Sequence, residues 1–302
     1  MVVYWLFRLT ILLMRPMPLW LGYRVAAAVA EICYHFFRRQ RLALNENLGW
    51  VLGSSDQRQV DAVARRAFRN FAKFVVDFIH FPVMSRQEVR RRLVFSEWAD
   101  LDEAANSGRG VLIVTMHFGV WDLGAAALAT YGYPINAIAD RFGYPKMNDL
   151  IHGSREKLGM KVIPVDRVGP GIFRALKRGE ILAMLIDTPL PGQAITVDFL
   201  GAPAEMSSAP ARIALRTGAW VVPAMVLRGP ERDTIIRPIL DVRTARFEPT
   251  DDEERDVRDL TRLIISALEP HIRAHPEQWY CFNPVWPQLQ GRAEAAALEP
   301  EG

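Results

Sequence analysis

Residues 110–124 read Gly110-Val-Leu-Ile-Val-Thr-Met-His117-Phe-Gly-Val-Trp-Asp122-Leu-Gly124 and are the most informative part of the sequence. Its apolar, β-branched start predicts a short strand that is buried on both faces, as strands of parallel sheets are. His117 follows the strand at once, and a helical pattern begins a few residues later. Ligands of open α/β sheets bind beside the carboxyl ends of the strands. The stretch therefore predicts a functional site at His117.

The chain on either side of this stretch alternates between strand and helix patterns, which is typical of an α/β domain. Apolar runs predict strands at residues 111–115, 135–139, 161–165, 181–186 and 220–227. Helical stretches separate them at residues 121–130, 146–158, 170–178 and 208–216. We therefore predict an α/β fold with a mixed sheet flanked by helices.

Two further helices are indicated outside this alternation. Apolar residues recur at three- and four-residue steps between Asp56 and Phe81, which predicts an amphipathic helix. Thr250 and Glu253 have the spacing of a capping box, so a late helix is expected to begin there. We expect that helix to run to about residue 268 and to end before Pro270, since proline breaks helix interiors.

The composition narrows the classes of protein. The chain has 302 residues, half of them apolar, with a formal net charge of +3 and two cysteines, Cys33 and Cys281. A disordered chain has fewer apolar residues and more net charge, and a disulfide scaffold has more cysteine. Nucleic-acid binding is disfavoured too, because acids balance the arginines and the cysteines and histidines lack zinc-finger spacing.

The first 37 residues are richer in apolar side chains than the rest. Two apolar segments, residues 2–14 and 19–37, are separated by a proline-containing turn. A membrane span needs about 20 apolar residues, but the first segment is too short and the second contains Arg24 and Glu31. We therefore predict an apolar membrane-docking helical segment that lies in the membrane interface. A pair of buried helices that caps a soluble domain is the alternative.

Three regions follow from these patterns. The basic run Arg38-Arg39-Gln40-Arg41 ends the apolar segment and favours a cytoplasmic location for the remainder. We predict a membrane-associated helical segment over residues 1–41 and an α/β domain over residues 42–287. Residues 288–302 are rich in Ala, Glu, Gly and Pro, which is typical of a flexible tail.

His117 and Asp122 are candidate catalytic residues. They are five residues apart, and five residues of a helix turn through roughly 500°, so the two would not share a helical face. They can meet if His117 lies in the loop and Asp122 in the first helical turn, with Gly119 permitting the bend. Asp122 would then fix the imidazole tautomer, and His117 would be a general base. A purely structural hydrogen bond that ties down the loop is the alternative.

The sequence from His117 to Asp122 resembles the H-x4-D/E motif of the lysophospholipid acyltransferase superfamily. Within it, the chain is similar to the branch that acylates bacterial glycolipids, which contains the lipid A (lauroyl/myristoyl) acyltransferases and the phosphatidylinositol mannoside acyltransferases. The resemblance covers roughly residues 1–287. The matching segments are residues 41–48, 69–71, 155–164, 176–187, 199–210 and 275–280.

The resemblance implies O-acyl transfer at the cytoplasmic face of the inner membrane. A fatty acyl group would move from a thioester of acyl carrier protein or coenzyme A to a hydroxyl of a glycolipid such as a lipid A precursor, with no metal and no other cofactor. His117 would be the base and Asp122 its orienting partner. Arg155 and Asp187 match the family's basic and acidic positions and would bind substrate, as would Arg141, a looser match.

The acceptor is left open by two departures from the family's pattern. The lipid A enzymes often carry Glu at the position of Asp122, so the Asp is more similar to the mannoside acyltransferases. The chain also lacks the Phe-Pro-Glu-Gly block of the glycerol-phosphate acyltransferases, which argues against lysophosphatidic acid. A phosphatidylinositol mannoside or another lysolipid is therefore the alternative acceptor.

Three more remote hypotheses concern the reaction. A membrane lipase or thioesterase is disfavoured because the sequence has no Gly-x-Ser-x-Gly elbow. A metal-dependent hydrolase would use His117, Asp122, His152 and Asp187, but the paired His motif of such enzymes is missing. A non-catalytic glycolipid-binding protein would keep the fold and would be indifferent to replacement of His117.

Overall fold

The described part of the chain consists of residues 2–14, 16–139, 145–164, 168–230, 232–242 and 247–286 of a computed structural model. Its strands are β1 (Val111–Thr115), β2 (Ile135–Ala139), β3 (Lys161–Pro164), β4 (Ile181–Leu185), β5 (Ala194–Phe199), β6 (Ala202–Ser207), β7 (Trp220–Arg228) and β8 (Ile236–Leu240). Its helices are α1 (Val2–Met14), α2 (Leu19–Phe36), α3 (Arg38–Leu52), α4 (Gln57–His80), α5 (Arg86–Arg92), α6 (Trp98–Asn106), α7 (Trp121–Thr130), α8 (Pro145–Leu158), α9 (Val168–Lys177), α10 (Ala209–Thr217) and α11 (Glu253–Ala274).

Six strands form one sheet in the order β3-β2-β4-β1-β7-β8. The first five strands of this order run parallel, whereas β8 joins β7 antiparallel. This confirms the predicted α/β fold with a mixed sheet flanked by helices, and all five predicted strands are present. β1 lies inside the sheet, with β4 on one side and β7 on the other.

Helices cover both faces of β1. Alternate residues of a strand point to opposite faces of the sheet. Ile113 packs in a core that contains Leu123 of α7, whereas Leu112 belongs to a second core with Ile172 of α9 and Ile264 of α11. Every residue of β1 is therefore buried, which is why the strand is apolar throughout and does not alternate.

Some elements differ from the expectations drawn from the sequence. The hairpin of β5 and β6 and the edge strand β8 were not predicted, because polar residues interrupt their apolar patterns. The expected end of the last helix was wrong, since α11 continues through Pro270 to Ala274. Leu268 and Ile272 are buried one turn apart on the same side of α11, and burial of that side outweighs the hydrogen bond lost at the proline.

The N-terminal segment is helical, and α1 and α2 pack on α4. α2 buries Tyr23, Ala30 and Tyr34 against its neighbours and leaves other large apolar side chains exposed. The exposed side chains of α1 and α2 include Trp5, Leu9, Leu12, Trp20, Val25, Val29, Ile32 and Phe36. Within the described ranges, every helix falls short of the length and apolarity that crossing a membrane requires. The predicted boundary after residue 41 lies inside α3, and the predicted tail lies outside the described residues.

A buried charge cluster joins α2, α4, α5 and β7. Asp77 Oδ1 accepts hydrogen bonds from the Tyr23 hydroxyl and from Arg92 Nη2, both at 2.6 Å, and Oδ2 accepts one from Arg228 Nη2 at 2.6 Å. All four side chains are buried. Burial by itself raises the pKa of Asp77, but the charges of Arg92 and Arg228 outweigh it and hold that pKa below its ordinary value. Asp77 is therefore an ionised carboxylate in the core.

Candidate active site

His117 and Asp187 form a hydrogen-bonded pair beside the ends of two neighbouring strands. Nδ1 of His117 lies 2.9 Å from Oδ1 of Asp187, and the His117 backbone N–H donates to Oδ2 at 2.9 Å. β1 and β4 run parallel with Thr115 opposite Leu185, so each member of the pair follows its strand by the same two positions. The register of the sheet therefore brings the two residues together.

Asp187 fixes the state of the imidazole. Its carboxylate accepts the proton of Nδ1, which in a neutral imidazole places the basic lone pair on Nε2. The Asp187 side chain is 2% exposed, whereas that of His117 is 31% exposed. The acid is thus shielded from water while the histidine remains accessible, an arrangement that suits a general base.

The structure places Asp187 on Nδ1 of His117, whereas the sequence led us to expect Asp122 as the hydrogen-bond partner of the imidazole. Asp122 does lie in the first turn of α7, but its two oxygens accept from Arg155 Nε at 3.1 Å and Nη2 at 2.9 Å. The last turn of α8 brings Arg155 to the start of α7. A guanidinium matches a carboxylate at two points, which a neutral imidazole does not. A catalytic role for Asp122 stays a prediction.

Arg155 is held rigidly at the site. Its side chain is buried, and its guanidinium carbon lies 5.8 Å from the centre of the Phe78 ring. The pair with Asp122 uses Nε and Nη2, which leaves Nη1 as the remaining nitrogen of the guanidinium. The predicted binding role of Arg155 stays a prediction, and Arg141 lies outside the described residues.

The turn that carries His117 is held by the segment near residue 280. The Tyr280 N–H donates to the His117 carbonyl at 2.8 Å, and the Gly119 N–H donates to the Gln278 carbonyl at 2.8 Å. Gly119 has a φ of +59°. A Cβ at this position would lie 1.9 Å from the Val226 carbonyl oxygen, so both the conformation and the space require glycine.

Trp121 supports the imidazole from the side. Its ring meets that of His117 edge-on, with centroids 5.2 Å apart and planes at 78°, and it stacks on Phe74 of α4 at 4.0 Å. Such contacts restrict rotation of the imidazole. Sequence reasoning missed Trp121, although its place directly before Asp122 in the motif was a signal.

A cavity of about 1160 Å³ includes His117, Asp122 and Arg155 in its wall. Most of the wall is apolar and comes from α4, α7 and the sheet. These apolar residues include Phe74, Phe78, Ile113, Leu128, Ile135, Ala137 and Leu240. Small-ligand pockets measure roughly 300–1,000 Å³, so the cavity accommodates a substrate with a long apolar part. Among the described residues, no group of three or more His, Cys, Asp and Glu side chains is arranged to hold a metal ion.

Cys281 lies near the site and is a poor nucleophile. Burial, and next the negative charge of Asp187, raise the pKa of its thiol well above the ordinary value. The thiolate is the nucleophilic form of cysteine, so the thiol stays protonated and unreactive at neutral pH. Thioester hydrolysis through a cysteine is therefore disfavoured at this site.

The family model for bacterial lipid A biosynthesis acyltransferases matches residues 1–288. The chain belongs to this family. The match confirms the resemblance drawn from the motif at His117 and extends over nearly the whole length of the chain. The protein is therefore an acyltransferase.

The acyltransferase is similar in sequence to enzymes of mycobacteria and of Haemophilus influenzae. The phosphatidylinositol mannoside acyltransferase of Mycobacterium tuberculosis (strain CDC 1551 / Oshkosh) is 24% identical over 250 residues, which cover 80% of this chain and 76% of that protein. The one from Mycolicibacterium smegmatis is 23% identical over 248 residues, with 80% and 78% covered. The lipid A biosynthesis acyltransferase of Haemophilus influenzae is 20% identical over 280 residues, with 91% and 84% covered.

Replacement of Asp187 by Asn is expected to lower the kcat of this acyltransferase by about 10²- to 10³-fold. Asp187 accepts from both Nδ1 and the backbone N–H of His117, and an amide has only one oxygen to offer, so it favours the wrong tautomer or leaves a donor unpaired. Steady-state rates of acyl transfer measure the effect. Asp61→Asn is the matched comparison, because Asp61 also accepts side-chain hydrogen bonds but lies on α4 outside the cavity wall, and an equal loss in both variants would contradict the assignment.

Proposed function

We propose that this acyltransferase moves a fatty acyl group from an acyl thioester to a hydroxyl of a glycolipid, with His117 as the general base. The observation that supports the proposal most directly is the His117–Asp187 pair, whose histidine lies in the wall of a large, mostly apolar cavity. The pair supplies a base of defined tautomer, and the cavity suits an acyl chain.

The chemical step uses His117 twice. Nε2 takes the proton of the acceptor hydroxyl while its oxygen attacks the thioester carbonyl, and a tetrahedral oxyanion forms. The oxyanion then collapses and the C–S bond breaks. His117 donates the proton that it took from the hydroxyl to the leaving thiolate. Asp187 stabilises the imidazolium that exists between these steps. The products are the acylated glycolipid and the free thiol of the donor.

Arg155 is the donor that we assign to the oxyanion. Preorganised donors in a site shielded from water stabilise the charge that develops there. Asp122 holds Nε and Nη2 of Arg155 in place, which aims the rest of the guanidinium without leaving the buried charge unpaired. Asp122 would thus act through Arg155, in contrast to the role first expected for it.

The acceptor class is best tested with purified full-length protein in vesicles. Each vesicle preparation contains one acceptor, either a lipid A precursor, a phosphatidylinositol mannoside or lysophosphatidic acid, and the donor is acyl-coenzyme A or acylated carrier protein. Mass spectrometry is expected to show a gain of one acyl mass on a glycolipid. Release of free fatty acid with every acceptor unchanged would contradict the proposal and indicate a thioesterase.

We also propose that α1 and α2 dock on the membrane that contains the acceptor. The exposed side chains of α2 include Trp20, Val29, Ile32 and Phe36, the last of them 80% exposed. The guanidinium of Arg24 lies 5.3 Å from the Trp20 ring, a pairing that suits the headgroup level, where aromatic and basic side chains meet anionic lipid.

The double variant Val29→Glu, Ile32→Glu is expected to lower partitioning to anionic vesicles at least tenfold, by about 1.5–3 kcal/mol for each apolar side chain lost. The two residues are three apart on α2 and lie on one side of it. Co-sedimentation with vesicles measures the change. Leu263→Glu, an exposed apolar position on α11, is the matched control and should bind as the unmodified protein does. Equal losses from both sites would contradict docking through α2.

A further inference from the structure

Gln278 links the buried Asp77 cluster to the turn that carries His117. Its side-chain Oε1 accepts from the Arg228 N–H at 2.8 Å, and its Nε2 donates to the Arg228 carbonyl at 3.2 Å. The Gln278 carbonyl accepts from the Gly119 N–H at 2.8 Å. Gln278 therefore joins the end of β7 to the turn that carries His117, here called the catalytic turn, through three hydrogen bonds.

Arg228 continues this link to α2. Its Nη2 donates to Asp77 at 2.6 Å, and Asp77 in turn accepts from the hydroxyl of Tyr23 at 2.6 Å. The guanidinium of Arg228 also lies 5.0 Å from the centre of the Tyr23 ring. Burial raises the pKa of Tyr23 far above its ordinary value, so the hydroxyl keeps its proton and remains a donor. The helix that exposes Trp20 and Val29 is thus bonded to the same network.

We propose that the hydrogen-bonded series Tyr23–Asp77–Arg228–Gln278 positions the turn that carries His117. The packing of α2 on α4 would then determine the alignment of His117 with Asp187. The inference rests on the proposed role of His117 as the base. None of the four residues is part of the cavity wall described above, so they are positioning residues and not catalytic ones.

The physical basis is the rigidity of a packed, buried hydrogen-bonded network. Gln278 and Tyr280 lie on one segment and contact the catalytic turn at Gly119 and His117. A displacement of Gln278 therefore moves both contacts together. Misplacement of a catalytic group by a fraction of an ångström to 1 Å lowers rates by up to about 100-fold. Packed interiors transmit such displacements because they contain little free volume.

Two tyrosines of α2 provide a matched pair of variants. Tyr23 and Tyr34 are both buried, and each donates its hydroxyl to an aspartate of α4, Asp77 and Asp61 respectively. Only Asp77 is bonded to Arg228. Tyr23→Phe and Tyr34→Phe therefore each remove one hydroxyl from the same helix interface, but only the first interrupts the link to the catalytic turn.

Tyr23→Phe is expected to lower kcat roughly fivefold, with the donor KM and vesicle binding unchanged, and to speed hydrogen exchange of the Gly119 amide. Tyr34→Phe is expected to leave kcat and Gly119 exchange at the values of the unmodified protein. Exchange is measured on the full-length protein bound to anionic vesicles. Equal effects of the two variants on kcat and exchange would overturn the proposal, since they would show a loss of helix packing only.

Gln278 provides the second arm of the test. Gln278→Met keeps the volume and removes both side-chain hydrogen bonds, and it is expected to lower kcat about tenfold and to speed Gly119 exchange. Gln278→Glu restores both bonds when its carboxyl is protonated, so its kcat relative to the unmodified protein should rise as pH is lowered. Unchanged exchange in Gln278→Met would overturn the proposal. Exchange requires no catalysis, so this result is independent of the variant that tests His117 itself.

Discussion

Replacement of His117 by Ala is expected to lower kcat for acyl transfer by about 10⁴-fold. The variant leaves the acceptor hydroxyl without a base and the departing thiolate without a proton donor. Asp187 does not take over, because its carboxylate is 2% exposed and lies against the turn, where its Oδ2 still accepts the backbone N–H of residue 117. Initial rates of acyl transfer to a glycolipid in vesicles, at saturating donor, measure the loss.

The control for this variant is its fold. Truncation of His117 removes its contact with Trp121, but Asp187 keeps the backbone N–H, so the thermal unfolding midpoint should fall only modestly and vesicle binding should remain close to that of the unmodified protein. An inactive variant that is folded and bound to vesicles supports the role of His117. Acyl transfer at an unchanged rate would refute the role of His117 as the general base.

Replacement of Asp77 by Ala is expected to lower the free energy of unfolding by about 3–5 kcal/mol. Asp77 is the buried carboxylate that faces both Arg92 and Arg228, and its loss leaves two guanidinium charges in the core without their counter-ion. The cost of an uncompensated buried charge exceeds that of an ordinary lost hydrogen bond. Urea unfolding followed by circular dichroism measures the change.

Asp61→Ala is the matched control for this stability effect. Asp61 also lies on α4 and accepts hydrogen bonds from Tyr34 and Asn45. It is only partly buried, however, and it is not the counter-ion of Arg92 or Arg228. Its replacement should cost about 1 kcal/mol. Comparable losses at Asp61 and Asp77 would contradict the special role of the buried cluster.

The pH dependence of the Asp77 effect has a defined sign. Its pKa is held below the ordinary value in the folded protein, so the stabilisation is fully present above the ordinary range of aspartate. This stabilisation is lost as pH falls through the lowered pKa, because Asp77 then becomes protonated in the folded state. The difference in stability between the unmodified protein and Asp77→Ala should therefore narrow in acid.

Most of the parallel sheet could be predicted because its strands carry a local signal. The strands β1, β2, β3, β4 and β7 are apolar runs bounded by helical patterns. Continuous apolar sequence is typical of strands that are covered on both faces. The hairpin β5–β6 and the edge strand β8 could not be found in this way. Their stability depends on partners that are adjacent only in the fold, and their polar residues conceal the pattern.

The sequence named four residues that the structure places near one another, but it did not indicate how they pair, and their roles stay predictions. His117, Asp122, Arg155 and Asp187 were all named from strand ends and the motif, and all four lie together in the structure. The sequence placed the histidine with the nearer aspartate. Arg155 lies 33 residues from Asp122, and no local pattern indicates which acid a distant arginine will meet.

Local patterns are enough to show that a histidine follows a buried strand and that an aspartate opens the next helix, because apolar runs and helix starts are local properties of the chain. That Asp187, 70 residues away, is the acid on Nδ1 follows only from the folded arrangement. The physical reason is the parallel register of β1 and β4, which places equivalent positions after the two strands side by side. Tyr23 and Gln278 are likewise connected only in the folded core, where side-chain hydrogen bonds join them through Asp77 and Arg228.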